Sequence, residues 1–318
     1  MPAGEGRRAP LPRHAPGALQ GRMTIPDGLP PPLGFAQFWR HVEACNNIAS
    51  PAHLIPFRVA DAQVGWLGAE LARALAFFPR DIHFDGTGAA LAGRLRAEGA
   101  RTAALEQIAA SLAGRGHFRL RGEAFDVRAT PGGPVLARLD RGALPAFGVI
   151  SQGVHVNGFV RRPDGLHLWV GWRSKDKAVA PGKLDNIVAG GIPAGLSPEQ
   201  CLIKEAAEEA SLPAELAARA TPAGRVSYVM ANEEGLRRDV LHCFDLELPE
   251  GVVPRPNDDE VERFELLPAR AVLARVAATD AVKFNVNLVL ADFGLRHGLL
   301  DLSPVDAARL RAGLDQVA

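Results

Sequence analysis

The sequence predicts a protein of the α/β (α+β) class, with two compact domains after a short segment of different composition. At 318 residues the chain is long enough for two domains of ordinary size. Apolar residues recur at helical spacing in some segments and alternate with polar residues in others. In the second half, two candidate hairpins flank one strongly acidic helix. We therefore expect a small α+β domain at residues 34–148 and a second mixed domain at residues 149–318.

The composition limits the classes of partner. Hydrophobic residues make up 47% of the chain and charged residues 23%, as in an ordinary folded protein, and the formal net charge is zero. No global positive field attracts nucleic acid, and no apolar run reaches the roughly 18 residues of a membrane span. Cys45, Cys201 and Cys243 lie far apart without metal-ligand spacing, which favours reduced thiols. We therefore expect a cytoplasmic protein with neither a nucleic-acid nor a membrane partner.

Residues 1–33 differ from the rest of the chain. They are rich in proline and glycine, carry several arginines and lack apolar periodicity. Such a segment buries too little surface to offset its ordering entropy, so we predict that it is disordered. An arginine-rich, acid-poor leader can also be a transit peptide, although this one lacks the serine content and the amphipathic pattern. Met23 is a second candidate for the physiological start.

The first domain is predicted to begin with a helix. Phe35, Phe38, Trp39, Val42 and Cys45 recur at spacings of three and four, and we interpret this stripe as core. The elements predicted to follow are strands at 54–59 and 63–67, a helix at 69–78, a helix at 101–112, and a strand at 118–129 before a Pro-Gly-Gly turn. This mixed order indicates a small α+β domain.

The second domain is predicted to contain two hairpins and a series of helices. The hairpins join strands at 153–160 and 166–172, and strands at 225–231 and 240–246. Between them lies a helix at 197–210, with Ser197 as its N-cap and Pro198 at its first position. Three further helices are predicted at 268–277, 287–297 and 304–314.

The helix at 197–210 carries the clearest chemical signal. Glu205, Glu208 and Glu209 are spaced by three and four residues, so their side chains share one face. Three neighbouring carboxylates repel one another unless solvent or a cation neutralises them, and their hard oxygen atoms suit Mg²⁺ or Mn²⁺. The alternative is a solvated acidic helix face.

The residues around these carboxylates resemble the signature of the Nudix hydrolases, which cleave diphosphates linked to a further group. That signature is Gly, five residues, Glu, seven residues, then Arg-Glu-apolar-any-Glu-Glu-any-Gly-apolar. Here the frame begins at Gly190 and places the three glutamates in register. Three positions depart from it: Leu196 replaces the first Glu, Lys204 the Arg and Ser211 the last Gly. Lysine cannot make the planar bidentate contacts of arginine.

The flanking residues resemble one Nudix subgroup, known as thiamine pyrophosphokinase-like, in which another domain precedes the Nudix domain. The matching residues are Trp169, Arg173, Ser174, Lys175, Lys177, Pro181, Gly182, Asp185, Asn186, Gly190, Gly191, Pro193, Ala194 and Gly195, with the segments 245–249, 258–267 and 283–298. The resemblance implies a Nudix α/β/α sandwich preceded by a small α+β domain. It also implies a small-molecule diphosphate substrate, with thiamine diphosphate and its oxidised or oxy analogues as candidates.

The resemblance assigns roles on the acidic helix. Glu205, Glu208 and Glu209 are the predicted ligands of Mg²⁺ (or Mn²⁺). Lys204 would be a counter-charge that orients a carboxylate, unless it is a solvent-facing helix lysine. The glycines of the preceding loop, Gly190, Gly191 and Gly195, are expected to permit positive φ and a close approach to the cation or phosphate.

The general base is expected outside this helix. Glu260 is the candidate, because it lies in the only other acidic cluster that is suitably placed in the sequence. It alternates with apolar Val261, so in a strand it would share a face with Glu262. Glu209 is a competing candidate. The alternative for Glu260 is an edge strand that carries charge to resist aggregation.

Two further positions are expected to support the site. Arg173 is a candidate for contact with the substrate phosphates, although alternating basic residues are also typical of a solvated strand. Asp185 and Asn186 precede the glycine loop, and we expect them to fix it through side-chain to backbone hydrogen bonds.

Three functions remain open from the sequence. The first is hydrolysis of thiamine-type diphosphates to the monophosphate and phosphate. The second is a broader pyrophosphatase activity on ADP-ribose or NADH, and the third is a catalytically silent domain that senses a diphosphate ligand. The sequence contains no GxxxxGK[ST] loop, so we predict hydrolysis and not kinase transfer. A homodimer is also left open.

Overall fold

The structure is a computed structural model that describes residues 32–48, 50–176 and 179–317. The predicted disorder of residues 1–33 concerns positions that lie outside these ranges, apart from residues 32 and 33. Met23 and Lys177 also lie outside the described residues.

The seven predicted helices are present close to their predicted positions, and two short helices, at Leu144–Phe147 and Ala214–Ala217, were not predicted. The helices are α1 (Phe35–Cys45), α2 (Ala69–Leu75), α3 (Glu98–Gly114), α4 (Leu144–Phe147), α5 (Pro198–Ala210), α6 (Ala214–Ala217), α7 (Ala269–Ala278), α8 (Val286–Arg296) and α9 (Pro304–Gly313), with a 3₁₀ turn at Arg141–Ala143. In the described residues, no helix is long and apolar enough to cross a membrane.

The strands form two main sheets and a small hairpin. They are β1 (Ile55–Val59), β2 (Ala62–Leu67), β3 (Ile82–Asp85), β4 (Gly88–Leu91), β5 (Ala124–Val127), β6 (Ala137–Asp140), β7 (Ile150–Arg162), β8 (Gly165–Arg173), β9 (Leu184–Asp185), β10 (Val188–Gly191), β11 (Thr221–Asn232), β12 (Gly235–Glu247) and β13 (Val261–Pro268). Both hairpins predicted for the second domain are present, as β7 with β8 and β11 with β12.

The larger sheet has seven strands and carries the acidic helix. Its order is β11-β12-β7-β8-β13, with β10 beside β7 and β9 beside β8. Strands β7 and β12 run parallel, and the other described pairs are antiparallel. The four-stranded sheet has the order β2-β1-β4-β3, and β5 pairs with β6. Strand β10, which contains the first two glycines of the predicted loop, pairs with residues 153–156 of β7.

Helices cover both faces of the larger sheet and complete the expected α/β/α sandwich. On one face, α1, α7, α8 and α9 pack in one apolar cluster that includes Phe38, Phe159 and Phe293. On the other face, α5 and α6 pack through a cluster that includes Val156 and Leu202. A separate core, which includes Phe57, fills the N-terminal domain.

Helix α1 packs differently from the sequence-based grouping. The sequence predicts it as part of the first domain, at residues 34–148, and Phe38, Val42 and Cys45 are buried in the same cluster as α7, α8 and α9. The periodicity predicts a helix with one apolar face, whereas its neighbours are set by tertiary packing. The boundary at 148/149 stays a prediction, and the packing places α1 in an outer layer of the sandwich.

The strand predicted at 118–129 is wrong over its first half, because only residues 124–127 are extended as β5. The carboxylate of Asp140 accepts hydrogen bonds from the backbone N–H groups of Arg121 (2.9 Å), Gly122 (2.8 Å) and Gly142 (2.8 Å). A side chain therefore satisfies donors that a neighbouring strand would otherwise use. Residues 119–122 consequently form a loop tied to Asp140.

The ends of α5 are set by its sequence. Ser197 and Gln200 form a reciprocal capping box, with Pro198 at the first helical position. Ser211 follows the last turn in the left-handed conformation, with φ +53°. Glycine adopts this conformation without steric cost, which gives a physical reason for the glycine of the signature at this position.

Candidate active site

Helix α5 lies so close to β10 that Gly190 has no room for a side chain. A Cβ atom at Gly190 would lie 2.5 Å from the carboxyl carbon of Glu205. Gly190 and Gly191 lie in extended backbone in β10, so the expected positive φ is wrong at both positions, and Gly195 alone of the three has it, at +85°. Gly190 is needed because the Glu205 carboxylate rests on the strand.

Glu209 is the most buried carboxylate of the helix. Its side chain accepts a hydrogen bond at 2.9 Å from the backbone N–H of Ala189. Burial raises the pKa of Glu209 well above its usual value, and the charges of Asp185, Glu205 and Glu260 raise it further. The structure thus places Glu209 among carboxylates that repel its charge.

Glu205 and Glu208 share Lys204 but differ in exposure. The Lys204 ammonium lies 3.1 Å from Glu205 and 2.5 Å from Glu208. The Glu205 side chain is 15% exposed, and burial raises its pKa although Lys204 opposes the shift. The Glu208 side chain is 54% exposed and points towards Lys204. Hydrogen bonding to Glu208 is the main reason that the pKa of Lys204 is raised.

The donor chemistry fits a divalent cation, although the predicted ligands do not converge. In the described ranges, no group of three or more His, Cys, Asp or Glu side chains is arranged to hold a metal ion. Glu208 is turned towards Lys204, whereas Glu205 and Glu209 both contact β10. A cation would stabilise the charged forms of the half-buried Glu205 and the buried Glu209, because both have raised pKa values. The ligand set of three glutamates stays a prediction.

Glu260 lies close enough to Glu209 to raise its pKa. It immediately precedes β13, so the shared face with Glu262 stays a prediction. The backbone carbonyl of Glu260 accepts a hydrogen bond at 2.9 Å from the N–H of Ser174, the residue that follows β8. We refer to Glu205, Glu209 and Glu260 as the glutamate cluster.

The guanidinium of Arg173 forms an ion pair and hydrogen bonds with other residues of the chain. One nitrogen lies 2.6 Å from Asp185, and Nε and the remaining nitrogen donate to the carbonyls of Val179 and Ala180. Lys283 also contacts Asp185, at 3.0 Å. Arg173 therefore holds the chain at Val179 and Ala180 against Asp185, and its expected contact with substrate phosphates stays a prediction.

Asp185 and Asn186 belong to a buried polar network. Asn186 bonds to His155 Nδ1 and to Asn157, each at 2.9 Å, and Asn157 donates to Asp245 at 3.0 Å. Burial lowers the pKa of His155 to about 4, so its imidazole is neutral at pH 7. The expected side-chain to backbone bond appears once, from Asn186 N–H to Asp185 at 2.9 Å. Most of the hydrogen bonds that hold Asn186 in place come from side chains far away in the sequence, which the local pattern does not predict.

A cavity of about 650 Å³ lies between the N-terminal domain and the sandwich. The sandwich contributes Ala189, Gly190, Gly191, Arg173, Glu260, Asp239, Phe284 and Asn285 to its wall, among others. The N-terminal domain contributes Phe118, Arg119, Arg121, Glu123 and Arg141, among others. The glutamates of α5 touch this wall at Ala189 and Gly190.

Sequence reasoning missed the contribution of the N-terminal domain. Arg119 and Arg121 lie in a segment predicted as a strand, and an arginine-rich strand carries no signal for a site. A local cue was present at Asp140, which is followed by Arg141 and Gly142 in a turn signature. That cue indicates a turn and does not indicate which distant backbone groups the aspartate holds.

Comparisons with known proteins agree with this arrangement. The profile of a domain of unknown function, DUF4743, matches residues 37–151, and that of the NUDIX domain matches residues 151–288. Nudix hydrolase 20, chloroplastic, from Arabidopsis thaliana is 36% identical over 274 residues, which cover 83% of this chain and 73% of that protein. Nudix hydrolase 24, chloroplastic, from the same plant is 36% identical over 267 residues, with the same coverage.

Among solved structures, the crystal structure of DR0079 from Deinococcus radiodurans is similar, with a TM-score of 0.41 and 24% sequence identity. The match covers 53% of this chain and 97% of the other.

Proposed function

Because this chain belongs to the Nudix hydrolase family, which acts on diphosphate bonds, we propose that it hydrolyses thiamine diphosphate or its oxidised or oxy analogues. The products are the thiamine monophosphate and inorganic phosphate, and the cofactor is Mg²⁺ (or Mn²⁺). The observation that carries this proposal is the cavity that borders the glutamate cluster. Its volume of about 650 Å³ lies in the range of small-molecule sites.

The lining of the cavity supports a ligand with an aromatic head and an anionic tail. Phe118 and Phe284 offer apolar ring surface. Asn285 is 6% exposed, and its Oδ1 atom is buried without a hydrogen-bond partner in the described residues. An amino group on the ligand would satisfy this acceptor. Thiamine diphosphate has an aminopyrimidine ring at one end and a diphosphate at the other.

The proposed roles follow from position and charge. Glu205, Glu208 and Glu209 would hold the cation, which supplies charge neutralisation at the phosphate oxygens and activation of water. Lys204 fixes Glu205 and Glu208 by ion pairs. Glu260 is the proposed general base, because it lies close to Glu209 and is not one of the proposed cation ligands, and Glu209 is the competing candidate. Arg173 and Lys283 act through Asp185, which they both contact.

A broader pyrophosphatase for ADP-ribose or NADH is the second candidate function. Adenine also carries an amino group that could satisfy Asn285, and these substrates contain the same diphosphate linkage. The third candidate, a silent sensor, predicts diphosphate binding without turnover.

We propose to test the function by phosphate release with Mg²⁺. The panel contains thiamine diphosphate, its oxo and oxy analogues, ADP-ribose, NADH and ADP, with phosphatase added for ADP-ribose and NADH. Glu205→Gln is expected to lower kcat at least about tenfold on the preferred substrate, as loss of a metal-site carboxylate does. Glu208→Gln tests the exposed carboxylate among the three proposed cation ligands. Removal of divalent ions with EDTA should abolish turnover until Mg²⁺ is restored.

Glu215→Gln is the matched control, because Glu215 is an exposed glutamate on α6. Preference for ADP-ribose or NADH would favour the second candidate. Binding of thiamine diphosphate without turnover across the panel would favour the sensor. Equal activity in Glu205→Gln and Glu215→Gln would overturn the proposed metal site.

We propose a cytoplasmic location on the basis of the cysteines, which are all buried free thiols. The two plant relatives are named as chloroplastic, and a fluorescent fusion of the full chain would decide the location of this protein. Light scattering would decide between a monomer and the homodimer that the sequence leaves open.

A further inference from the structure

The N-terminal domain is packed directly against the glycine strand of the sandwich. A Cβ atom at Gly191 would lie 2.6 Å from Cζ of Phe125, so that ring rests on the strand next to Gly190. The backbone N–H of Ala194 donates to the carbonyl of Ala124 at 2.8 Å. Glu123 is close enough to contribute to the raised pKa of Glu205. The segment before β5 therefore lies within electrostatic reach of the acidic helix.

The loop at residues 119–122 is held in place before any ligand binds. Three backbone N–H groups, two of them in this loop, donate to Asp140. The turn at Gly142 approaches so closely that a Cβ atom there would lie 1.9 Å from the carbonyl oxygen of Arg119. The backbone at Arg119 and Arg121 is thus fixed, which lowers the entropy cost of using their side chains in binding.

Arg119 and Arg121, which we call the arginine pair, differ from the other basic side chains of the cavity. The other arginines and the lysine of the wall have carboxylate partners: Arg141 with Glu123, Arg173 and Lys283 with Asp185, and Arg237 with Asp239. The arginine pair is exposed, and in the described ranges neither guanidinium has a hydrogen bond or ion pair. Two guanidinium groups are therefore available to an anion in the cavity.

We propose that the arginine pair binds the phosphate groups of the diphosphate substrate, so that the active site includes the N-terminal domain. The inference rests on the proposed function as a diphosphate hydrolase. Carboxylates with a cation would neutralise the diphosphate from the sandwich, and guanidinium groups contact its remaining oxygens from the other domain. Exposed arginines that serve only solubility would have no effect on substrate binding.

The test compares Arg119→Ala, Arg121→Ala and the double variant with Arg73→Ala. Arg73 is an exposed arginine of α2 in the same domain and is absent from the cavity wall. Kinetics are measured on the preferred substrate of the panel. The double variant is expected to raise KM at least about tenfold, because a hydrogen bond to a charged group contributes on that scale. The kcat is expected to change less than KM, and Arg121→Lys should recover part of the loss.

Binding measurements separate this inference from the proposed substrate. Isothermal titration with inorganic pyrophosphate, thiamine diphosphate and thiamine is carried out on the wild type and the same variants. Weaker binding of both phosphate compounds, with thiamine unaffected, supports the arginine pair. If ADP-ribose is the preferred substrate and its KM rises in the double variant, the thiamine proposal fails and the arginine pair stands. The proposed role of the arginine pair is overturned by one result. In that result the double variant hydrolyses thiamine diphosphate with the KM of Arg73→Ala and binds pyrophosphate with the affinity of Arg73→Ala.

Discussion

The carboxylates of Glu205 and Glu209 on α5 lie against the backbone of β10, whereas the guanidinium groups of the arginine pair are exposed and unpaired in the described residues. Both sets approach the same cavity, from opposite domains. Each also depends on a close approach at one glycine, at Gly190 for the glutamates and at Gly142 for the arginines. The two positions differ in the group that a Cβ atom added at the glycine would contact. At Gly190 it is the end of a flexible side chain, and at Gly142 it is a backbone carbonyl.

The largest expected effect is a loss of activity in Gly190→Ala. The added Cβ atom would displace the Glu205 carboxylate, and misplacement by about 1 Å can cost about 10²-fold in rate. Because a glutamate side chain can rotate away, we expect the free energy of unfolding to change by less than about 1 kcal/mol. Steady-state kinetics and urea unfolding measure the two effects.

Gly99→Ala is the control, because a Cβ atom there meets nothing within 4 Å. Full activity in Gly190→Ala would contradict a role for the position of Glu205.

Gly142→Ala should give the opposite result, a loss of stability. The Cβ atom would meet the carbonyl oxygen of Arg119 at 1.9 Å, and backbone shifts of this kind typically cost about 1–3 kcal/mol. Urea unfolding measures this loss, and KM should rise as the arginine pair moves. In contrast with Gly190→Ala, kcat should change little. A normal unfolding midpoint with normal KM would contradict the fixed loop.

The smallest expected effect is a change in the pH dependence of stability. The folded-state pKa of Glu209 is raised from 4.5, so the folded protein holds this proton more tightly than the unfolded chain. The contribution of protonated Glu209 to the stability of the fold is therefore present at low pH. It is lost as pH rises from about 4.5 through the folded-state pKa of Glu209. Glu209→Gln removes that loss, so its stability should fall less than that of the wild type between pH 5 and pH 8.

Urea unfolding at several pH values measures the difference in stability between the wild type and Glu209→Gln. Mg²⁺ should reduce this difference by stabilising the charged form of Glu209. The double variant of the arginine pair provides the comparison, because arginine does not titrate in this range. If the stability of Glu209→Gln depended on pH in the same way as that of the wild type, the raised pKa of buried Glu209 would be contradicted.

Local patterns predicted much of the glutamate side of the cavity. The spacing of Glu205, Glu208 and Glu209 and the cap at Ser197 depend only on neighbours within one helix, and α5 begins after that cap. The same reasoning was wrong about the backbone of Gly190, since a glycine kept for close approach looks the same in a sequence as one kept for positive φ. The sequence also leaves the neighbours of α1 undecided, because one apolar face is compatible with several partners, and tertiary packing places it with α7, α8 and α9.

By itself the sequence determined the element types, the capped acidic helix and, through its resemblance, the Nudix fold. These properties follow from residues close together in the chain or from a recognisable motif. Only the tertiary structure decided that Glu208 turns towards Lys204, that Glu260 lies near Glu209, and that Arg119 and Arg121 border the cavity. The physical reason is that burial, charge repulsion and close approach depend on distances between segments, which the order of residues along one segment does not encode.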